Sequence, residues 1–334
     1  MSKLNLICIT PIKNEAWILD RFLKCTSLWA DQIIIADQMS TDRSREIAVR
    51  YPKVTLVENP SDKFDEAERQ QLLIEAARCF SQPRLIIALD ADEILTANYM
   101  DCTEWATICE AAPGTVISFQ WANLLPDLKS YWSPPQDFPW GFMDDGSKHN
   151  GKKIHSHRVP IPTCSSRINL RDIKVLHYQY THWERMESKH RWYQAWERLN
   201  RPSRHAVDIY RQYHHMYSIP KNEFHPVPEE WLLGYKQHGI DMTSICKEKT
   251  FWWDKDVLKL IIENDPKTFK REAIWDFDWG ELNKRINHDI KQANLDDPRS
   301  VFDKYVHHWL SRTQPAHFRL RVRAVETILK SIGW

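Results

Sequence analysis

The residues best suited to chemistry lie in the segment LIIALDADEIL, residues 85–95, where an apolar run ends in acidic side chains. Asp90 and Asp92 are two positions apart, and alternate residues of an extended chain project to the same side. Two carboxylates on one side of a strand end suit a hard divalent cation such as Mg²⁺ or Mn²⁺. We therefore predict a metal site at Asp90 and Asp92; the alternative is a solvated turn at which a strand leaves its sheet.

The region before this motif lacks a common device for binding phosphate. Many nucleotide-binding α/β domains hold phosphates on a glycine-rich turn that leads into a helix. The first glycine of this chain is Gly114, so the N-terminal region has no such turn. A diphosphate bound there would be held through a metal ion. This argues against dehydrogenases and P-loop enzymes and favours metal-dependent sugar transfer.

The acidic motif follows the last of four short apolar segments that alternate with amphipathic segments. We predict buried strands at residues 4–10, 32–36, 54–57 and 84–89, and helices at 15–29, from 42 onward and at 65–80. Strands that alternate with helices form parallel sheets with right-handed crossovers, and ligands bind beyond the carboxyl ends of such strands. Residues 11–14, 37–40 and 90–92 therefore meet at one edge of the sheet, which is the predicted site.

The pattern changes after residue 112, and the 16 tryptophans are concentrated after residue 100. Short strands are predicted at residues 115–121, 158–162 and 173–177, and a helix at 183–200. The remainder is mainly helical, with segments near residues 203–217, 228–238, 254–263, 280–293 and 301–331.

Three separated motifs carry a resemblance to a known family. They are ITPIKNEAWILDRFL, IIIADQMSTDRSREIA and LIIALDADEIL, which resemble, in order and spacing, the donor-binding half of family 2 glycosyltransferases over about residues 4–95. The resemblance implies the GT-A fold, an α/β arrangement with a mostly parallel sheet flanked by helices, here followed by a helical, Trp-rich C-terminal region. We expect a donor-binding half at residues 1–112, an acceptor-binding half at 113–200 and a helical extension at 201–334.

The resemblance also implies a reaction, the inverting transfer of a sugar from a nucleotide-diphosphate donor, UDP-type by default. The acceptor would be a hydroxyl of a glycan or a lipid-linked glycan, and the cofactor Mn²⁺ or Mg²⁺. Asp92 would be the direct metal ligand and Asp90 a ribose or water-mediated contact. Matching positions imply nucleoside and donor contacts from Thr10, Pro11, Asn14, Glu15, Asp37 and Arg69.

Some of these assignments have ordinary alternatives. Asp37 could belong to a turn, and Arg69 could be a solvated helix residue. Gln38 stands where many relatives carry a second aspartate, so the base of the nucleotide stays open.

The segment VLHYQYTHWERMESKHRWY, residues 175–193, carries the remaining candidates for the donor site. His177 follows a predicted strand and is expected to complete the metal shell or to contact a phosphate. Lys189 and Arg191 are expected to neutralise the leaving diphosphate. A strand-end histidine and an ordinary charged helix face are the alternatives for these three residues.

An inverting transferase needs a base, usually a carboxylate, that takes the proton of the acceptor hydroxyl. Relatives place a carboxylate shortly before the strand that leads to the histidine, but this chain has IHSHRVP there, without an acid. We predict Asp145 first, Asp144 second and Glu184 third as the base, each with a solvated carboxylate as its alternative. A non-catalytic sugar- or nucleotide-binding protein of this fold, or a sugar-phosphate nucleotidyltransferase, is the alternative function.

Composition limits the cellular context. The net charge of +1 does not indicate nucleic-acid binding, and seven cysteines without a CxxC pair are typical of a reducing compartment. No segment reaches the roughly 18 apolar residues of a membrane span, so we expect a cytoplasmic protein. The basic segment 311–334 predicts peripheral contact with the inner face of an anionic membrane, or else a final helix packed on the body of the protein.

Overall fold

The computed structural model describes residues 3–61, 64–286 and 295–334. Contacts divide the chain into two units, Met1–His182 with Phe224–Lys247 and Trp183–Glu223 with Glu248–Trp334. This division differs from the boundaries expected at residues 112 and 200. The helix predicted at 183–200 belongs to the second unit because it packs against the helices Ala206–Tyr213 and Trp252–Glu263.

The strands of the described residues all lie in the first unit. They are β1 (Asn5–Ile12), β2 (Gln32–Asp37), β3 (Val54–Glu58), β4 (Arg84–Ala88), β5 (Glu93–Leu95), β6 (Val116–Phe119), β7 (Trp121–Leu124), β8 (Ser130–Trp132), β9 (Phe138–Met143), β10 (Arg167–Asn169), β11 (Val175–His177) and β12 (His225–Pro226). The α-helices of this unit are α1 (Leu19–Thr26), α2 (Ser44–Ala48), α3 (Glu66–Ala77), α4 (Thr103–Cys109) and α7 (Glu230–Gln237).

The larger sheet has seven strands in the order β10-β6-β9-β4-β1-β2-β3. Strands β3, β2, β1 and β4 are parallel neighbours. Strand β9 runs antiparallel between β4 and β6, and β10 is parallel to β6. The result is a mixed, mainly parallel sheet flanked by helices, and the predicted GT-A fold is confirmed.

Burial on both faces explains the continuous apolar runs of the central strands. Successive side chains of a strand point to opposite faces of the sheet. Ile7 and Ile9 of β1 pack with Leu73 of α3 in one core, whereas Cys8 packs with Phe22 of α1 in the other. A strand covered by helices on both sides has no polar face, as is usual in parallel sheets.

A second, five-stranded sheet has the order β12-β8-β7-β11-β5 and was not predicted. Its strand β5 has three residues and begins at Glu93, directly within the acidic motif. Strand β11 pairs antiparallel with β5 and parallel with β7, which places His177 opposite Glu93 on one side and Asn123 on the other. This sheet therefore brings the second half of the unit to the acidic motif.

The second unit is helical, as predicted for the end of the chain. Its α-helices are α5 (Trp183–Asn200), α6 (Ala206–Tyr213), α8 (Trp252–Glu263), α9 (Trp279–Arg285), α10 (Val301–Thr313) and α11 (Leu320–Ser331). No helix among the described residues is both long and apolar enough to cross a bilayer.

Three sequence predictions of secondary structure need correction. Residues 158–162 form no strand. The helix predicted at 301–331 is two helices, because Pro315 between them lacks an N–H and restricts the residue before it. The helix predicted at 280–293 ends at Arg285, and residues 287–293 of that prediction lie outside the described residues.

Candidate metal and donor site

The carboxyl ends of β1, β2 and β4 lie at one edge of the larger sheet. Ile12 at the end of β1 is paired with Asp37 at the end of β2. Just beyond β4, the N–H of Leu89 donates to Ile9 O of β1 at 3.1 Å. The loops that carry the predicted nucleoside and metal residues therefore start side by side.

Three carboxylates follow β4, and the guanidinium of Arg158 lies among them. Arg158 Nη2 is 2.8 Å from Asp90 Oδ2 and 3.0 Å from Glu93 Oε1, and Arg158 Nη1 contacts Glu93 Oε2. The indole of Trp121 donates to Glu93 Oε1 at 2.8 Å, and the Asp90 N–H donates to Glu93 Oε2 at 2.9 Å. Glu93 is thus a bracing residue, with both carboxylate oxygens engaged by protein donors.

Electrostatics hold this cluster together. Burial disfavours the charge on Arg158, but Asp90 and Glu93 outweigh that effect and raise its pKa, so the guanidinium stays charged. Burial also raises the pKa of Glu93, and the charge of Arg158 acts in the opposite direction. The guanidinium carbon lies 4.9 Å from the ring centroid of Trp140, a cation–π contact that covers one face of the arginine.

Asp92 and His177 form the pair best placed to hold a metal ion. Asp92 Oδ2 lies 3.8 Å from His177 Nε2, and both residues are buried. His177 Nδ1 is 2.8 Å from Asn123 Oδ1, an atom that only accepts hydrogen bonds. Nδ1 therefore donates in this contact, and in the singly protonated ring Nε2 would carry the lone pair that a metal requires. The ring is stacked on Trp121 at 4.9 Å, which fixes its plane.

These residues fit a hard divalent cation. Adjacent ligands of an octahedral ion with bond lengths of about 2.1 Å lie about 3.0 Å apart, so the 3.8 Å between these two atoms would have to shorten when an ion binds. Two protein ligands leave further coordination positions for water and for substrate phosphate, which is how Mg²⁺ is often bound. Carboxylate and imidazole are both acceptable ligands for Mn²⁺.

A different group of three residues has metal-ligand spacing, but its carboxylate serves another purpose. Cys102, Glu104 and Asp172 are the group of three such residues that the described chain brings together. Glu104 there accepts hydrogen bonds from three successive backbone N–H groups, at residues 171–173. It braces a surface loop, so we assign no metal to this group.

The predicted nucleoside loop after β1 is held by the loop after β2. Asn14 has a positive φ of 58°, and its Oδ1 accepts from the N–H groups of Thr41 and Asp42 at 2.7 and 3.2 Å. The Glu15 N–H donates to Ser44 Oγ at 2.8 Å, and Glu15 Oε2 accepts from the Trp17 indole. Asn14 is therefore a structural link between the two loops.

Asp37 is a buried carboxylate with a protein counter-ion. Its Oδ2 lies 2.7 Å from Arg45 Nη1, and its Oδ1 accepts from the Ser40 N–H at 3.3 Å. A nucleoside contact by Asp37 remains a prediction, and any such contact would share the carboxylate with Arg45.

Three buried polar atoms of this unit lack a hydrogen-bond partner and belong to residues of the site. They are Thr10 Oγ1 at the end of β1, Asn123 Nδ2 beside His177, and Arg69 Nε on α3. Unpaired buried polar atoms are costly and are usually satisfied by a ligand or an ordered water. Arg69 lies with its guanidinium carbon 5.6 Å from the ring centroid of Phe64.

The expectation that Asp144 or Asp145 acts as the base is corrected by the structure. Strand β9 is antiparallel to β4, so its last residue, Met143, pairs with Leu85 at the start of β4. Asp144 is buried there and bound by Arg78 at 2.8 Å and Arg84 at 2.5 Å. Both aspartates therefore lie at the end of β4 opposite to Asp90, and Asp144 is neutralised.

The other predicted residues of the donor site belong to α5 in the second unit. Arg191 is bound by Asp254 through two hydrogen bonds of 2.8 and 2.9 Å, and its guanidinium lies over the ring of Phe277 at 4.1 Å. Its charge is thus compensated within that unit. Glu184 lies in the first turn of α5, and Lys189 lies further along the same helix.

Sequence reasoning missed Glu93, Arg158 and Asn123 as parts of the site. Glu93 was visible as the last acid of the DADE motif. The loop that carries Arg158 is attached to the start of α3, because the Ser156 N–H donates to Glu66 Oε2 at 2.8 Å. No periodic pattern marks Arg158 or pairs Asn123 with His177, so neither had a sequence signal.

No protein-family model and no curated protein matches the sequence. Many solved structures are similar over part of the chain, among them the following three. Glucosyl-3-phosphoglycerate synthase from Mycobacterium tuberculosis with Mn²⁺, UDP and glucosyl-3-phosphoglycerate is 14% identical, over 36% of this chain and 44% of that chain, with a TM-score of 0.26. GalNAc-T7 with UDP, GalNAc and Mn²⁺ is 13% identical, over 52% of this chain and 44% of that chain, with a TM-score of 0.36.

The third structure, 4-diphosphocytidyl-2C-methyl-D-erythritol synthase, is 13% identical over 42% of this chain and 76% of that chain, with a TM-score of 0.30. The matched part spans less than half of the two glycosyltransferase chains. The fold assignment accordingly rests on the strand order of the larger sheet.

Proposed function

We propose that this protein is a metal-dependent glycosyltransferase that moves a sugar from a nucleotide-diphosphate donor to a hydroxyl, with inversion. The observation that carries the proposal is the Asp92–His177 pair, 3.8 Å apart at the carboxyl edge of the sheet. The three sequence motifs that resemble family 2 glycosyltransferases support the donor class, and UDP is the default nucleotide. The fold agrees with this function.

The residues of the first unit have separate roles in this proposal. Asp92 and His177 would hold Mn²⁺ or Mg²⁺, and Asn123 keeps the imidazole in the tautomer that offers Nε2. Arg158 fixes Asp90 and Glu93, so that the motif keeps one conformation. The bound ion would neutralise the charge that develops on the departing diphosphate.

Of the three carboxylates predicted as the catalytic base, two are set aside by their position. Asp144 and Asp145 lie at the wrong end of β4. Glu184, at the start of α5, keeps its candidacy as the group that takes the proton of the acceptor hydroxyl. Replacement of Glu184 by Gln is expected to reduce kcat while nucleotide binding is preserved.

Thermal unfolding with a panel of nucleoside diphosphates and their sugars tests the donor site. Ligand that binds the folded state stabilises it by RT ln(1 + [L]/Kd), about 2.7 kcal/mol when the ligand is at 100 times its Kd. We expect one nucleotide to raise the unfolding temperature in the presence of Mn²⁺ in the wild type and not in Asp92→Ala. Asp145→Ala, an exposed carboxylate at the other end of β4, is the matched control and should behave as wild type.

The absence of a shift with every nucleotide in the wild type would overturn the proposal. If the nucleotide still raises the unfolding temperature of Asp92→Ala, the protein binds the nucleotide but does not hold the metal ion at Asp92.

We also propose that segment 311–334 contacts an anionic membrane, where a lipid-linked acceptor would be presented. One face of α11 packs inward through Val322 and Leu329, whereas Phe318, Leu320 and Ile328 are 68%, 83% and 63% exposed.

Among the described residues, the ion pairs of this segment are those of Glu326 with Arg211 and of Lys330 with Asp208. The arginines not engaged in them are Arg312, Arg319, Arg321 and Arg323. Exposed apolar groups beside unpaired arginines suit an anionic lipid surface.

Flotation with phosphatidylglycerol liposomes tests this contact. The double variant Leu320→Ser, Ile328→Ser should lose most liposome binding, because two exposed apolar groups are removed without disturbing the buried face. Val301→Ser removes an apolar residue that is 87% exposed at the start of α10 and is the matched control. Equal flotation of the double variant and the control would refute the membrane contact.

A further inference from the structure

The second unit contains a cavity of about 720 Å³ that belongs to no part of the site described above. Side chains of α5, α6 and α10 line it, together with His214 and Tyr217 after α6, and with Asp276 and Arg299. This volume falls within the range of about 300–1,000 Å³ that is usual for small-molecule sites. The chemistry of the lining indicates which class of molecule it can take.

The two arginines and the lysine of the lining are compensated by protein carboxylates. Arg191 is bound by Asp254 through two hydrogen bonds. Arg299 lies 2.7 Å from Asp276 and 2.9 Å from Asp297, and Lys304 lies 3.2 Å from the same Asp297. An anionic ligand would have to compete with these carboxylates, so the cavity does not favour a phosphate or a sugar acid.

Two histidines of the lining are neutral hydrogen-bond acceptors. His190 Nδ1 is 3.0 Å from Tyr213 O, and His214 Nδ1 is 2.9 Å from Tyr210 O. A carbonyl oxygen only accepts, so both rings carry their proton on Nδ1 and offer Nε2 as an acceptor. Burial lowers the pKa of His190 and lowers that of His214 to about 4, which keeps both rings uncharged at neutral pH.

A third acceptor comes from Gln194, which is 2% exposed and lines the cavity. Its Nε2 donates to His190 O at 3.2 Å within α5, whereas its Oε1 is buried and has no partner. Leaving such an atom unsatisfied costs roughly 1–3 kcal/mol. A ligand that donates hydrogen bonds would remove this cost.

Aromatic rings supply the apolar part of the lining. Tyr210 and His214 are stacked in parallel, with centroids 3.9 Å apart. Tyr217 is 45% exposed, so its ring is accessible from solvent. Tyr210 is also stacked on His307, so the ring offered to a ligand is that of Tyr217, which can pack against the C–H face of a ligand whose polar groups point outward at its rim.

We propose that this cavity binds a neutral saccharide. Hydroxyl groups are the neutral donors that can satisfy Gln194 Oε1 and the two imidazole Nε2 atoms, and pyranose C–H faces match the aromatic rings. Among the described residues, this cavity holds no three metal-ligating side chains close enough to share one ion.

The assignment of this saccharide as part of the acceptor rests on the proposed function; the binding itself does not. Nucleotide binding and saccharide binding can be measured separately on the same full-length chain. The two failures are therefore distinguishable.

Saturation-transfer difference NMR with methyl glycosides and neutral disaccharides tests the site, with glucose 6-phosphate as the charged comparison. We expect at least one neutral saccharide to bind, and Tyr217→Ala to weaken that binding about tenfold through the loss of one ring contact. Tyr305→Ala, at a tyrosine of α10 that is 71% exposed and outside the lining, is the matched control and should bind as wild type. Gln194→Leu, of similar shape, should also weaken binding, and its thermal unfolding shows whether it folds.

Each outcome decides the proposal. Binding of a neutral saccharide that is weakened by Tyr217→Ala and unaffected by Asp92→Ala establishes a site separate from the metal centre. The proposal is overturned if no saccharide binds to a chain that still binds its nucleotide. It is also overturned if Tyr305→Ala loses as much saccharide affinity as Tyr217→Ala, or if glucose 6-phosphate binds more tightly than the neutral saccharides.

Discussion

The two ends of β4 both carry buried arginine and acidic side chains, but in opposite ratios. At the amino end, two arginines, Arg78 and Arg84, bind the carboxylate of Asp144. At the carboxyl end, three carboxylates follow the strand, and Arg158 pairs with two of them, Asp90 and Glu93. The third, Asp92, faces an imidazole nitrogen at 3.8 Å.

This difference separates a structural cluster from a site. An aspartate held by two arginines has its charge compensated and gains nothing from a cation. A carboxylate and an imidazole nitrogen that face each other, as those of Asp92 and His177 do, are ligand types that Mn²⁺ accepts. An acidic residue in a loop is therefore informative only together with the charges around it, which is why Asp144 is unsuited to the role of base.

The largest expected effect is a loss of folding stability when the charge pair at the amino end of β4 is broken. Asp144→Ala leaves Arg84, whose side chain is 8% exposed, with a buried charge and no carboxylate. Removal of one partner of a buried pair costs about 3–5 kcal/mol. Chemical denaturation should show a loss of this size, with Mn²⁺ binding by the folded protein unchanged.

The control for this experiment is Asp137→Ala. Asp137 pairs with Arg171, whose side chain is 55% exposed, and surface pairs contribute roughly 0–1 kcal/mol. A loss in Asp144→Ala no larger than in this control would contradict the structural role of the amino end.

A smaller effect, on Mn²⁺ affinity, is expected when Asn123, which orients His177, is replaced. Asn123→Ala frees the ring to change tautomer and plane, and loss of such a supporting contact typically lowers metal affinity about 10–100-fold. Titration with Mn²⁺ measures this change. Asn98→Ala removes a comparable amide, bonded to Asp172 O at 3.0 Å, and should leave Mn²⁺ affinity as in wild type. Unchanged affinity in Asn123→Ala would remove His177 Nε2 from the metal shell.

The smallest expected effect is the pH dependence of the folding stability that Asp144 provides. Burial opposes ionisation of Asp144, but hydrogen bonds from Arg78 and Arg84 outweigh it and hold its pKa below the ordinary value of 3.8. Its stabilising charge is present above pH 3.8 and is lost as the pH falls further, at no more than about 1.4 kcal/mol per pH unit. The stability difference between wild type and Asp144→Asn should narrow below pH 3.8. A difference that stays constant with pH would show that the charge of Asp144 is not what stabilises this end.

The first 95 residues were readable from sequence because each central strand is a continuous apolar run. The first helix repeats its apolar positions, the second follows capping residues, and the third has acidic residues in its first turn. Their position directly after an apolar run placed Asp90 and Asp92 at the carboxyl end of β4, where the structure has them. The predicted role of these residues still awaits the metal titration below.

What could not be predicted depends on pairing between distant segments. Strand β5 has only three residues, too few for a periodic signal. Arg158 is 65 residues from Glu93 along the chain and lies in an irregular loop. The misplacement of Asp145 has a related cause, since nothing local in the sequence shows that β9 runs antiparallel and returns the chain to the amino end of β4.

The most direct test of the account is a titration of the full chain with Mn²⁺, by calorimetry, for the wild type and for Asp92→Asn and Asp145→Asn. We predict one Mn²⁺ per chain in the wild type and in Asp145→Asn, and none at that affinity in Asp92→Asn. Equal binding by Asp92→Asn, or loss of binding in Asp145→Asn, would contradict the assignment of the metal to the carboxyl end of β4.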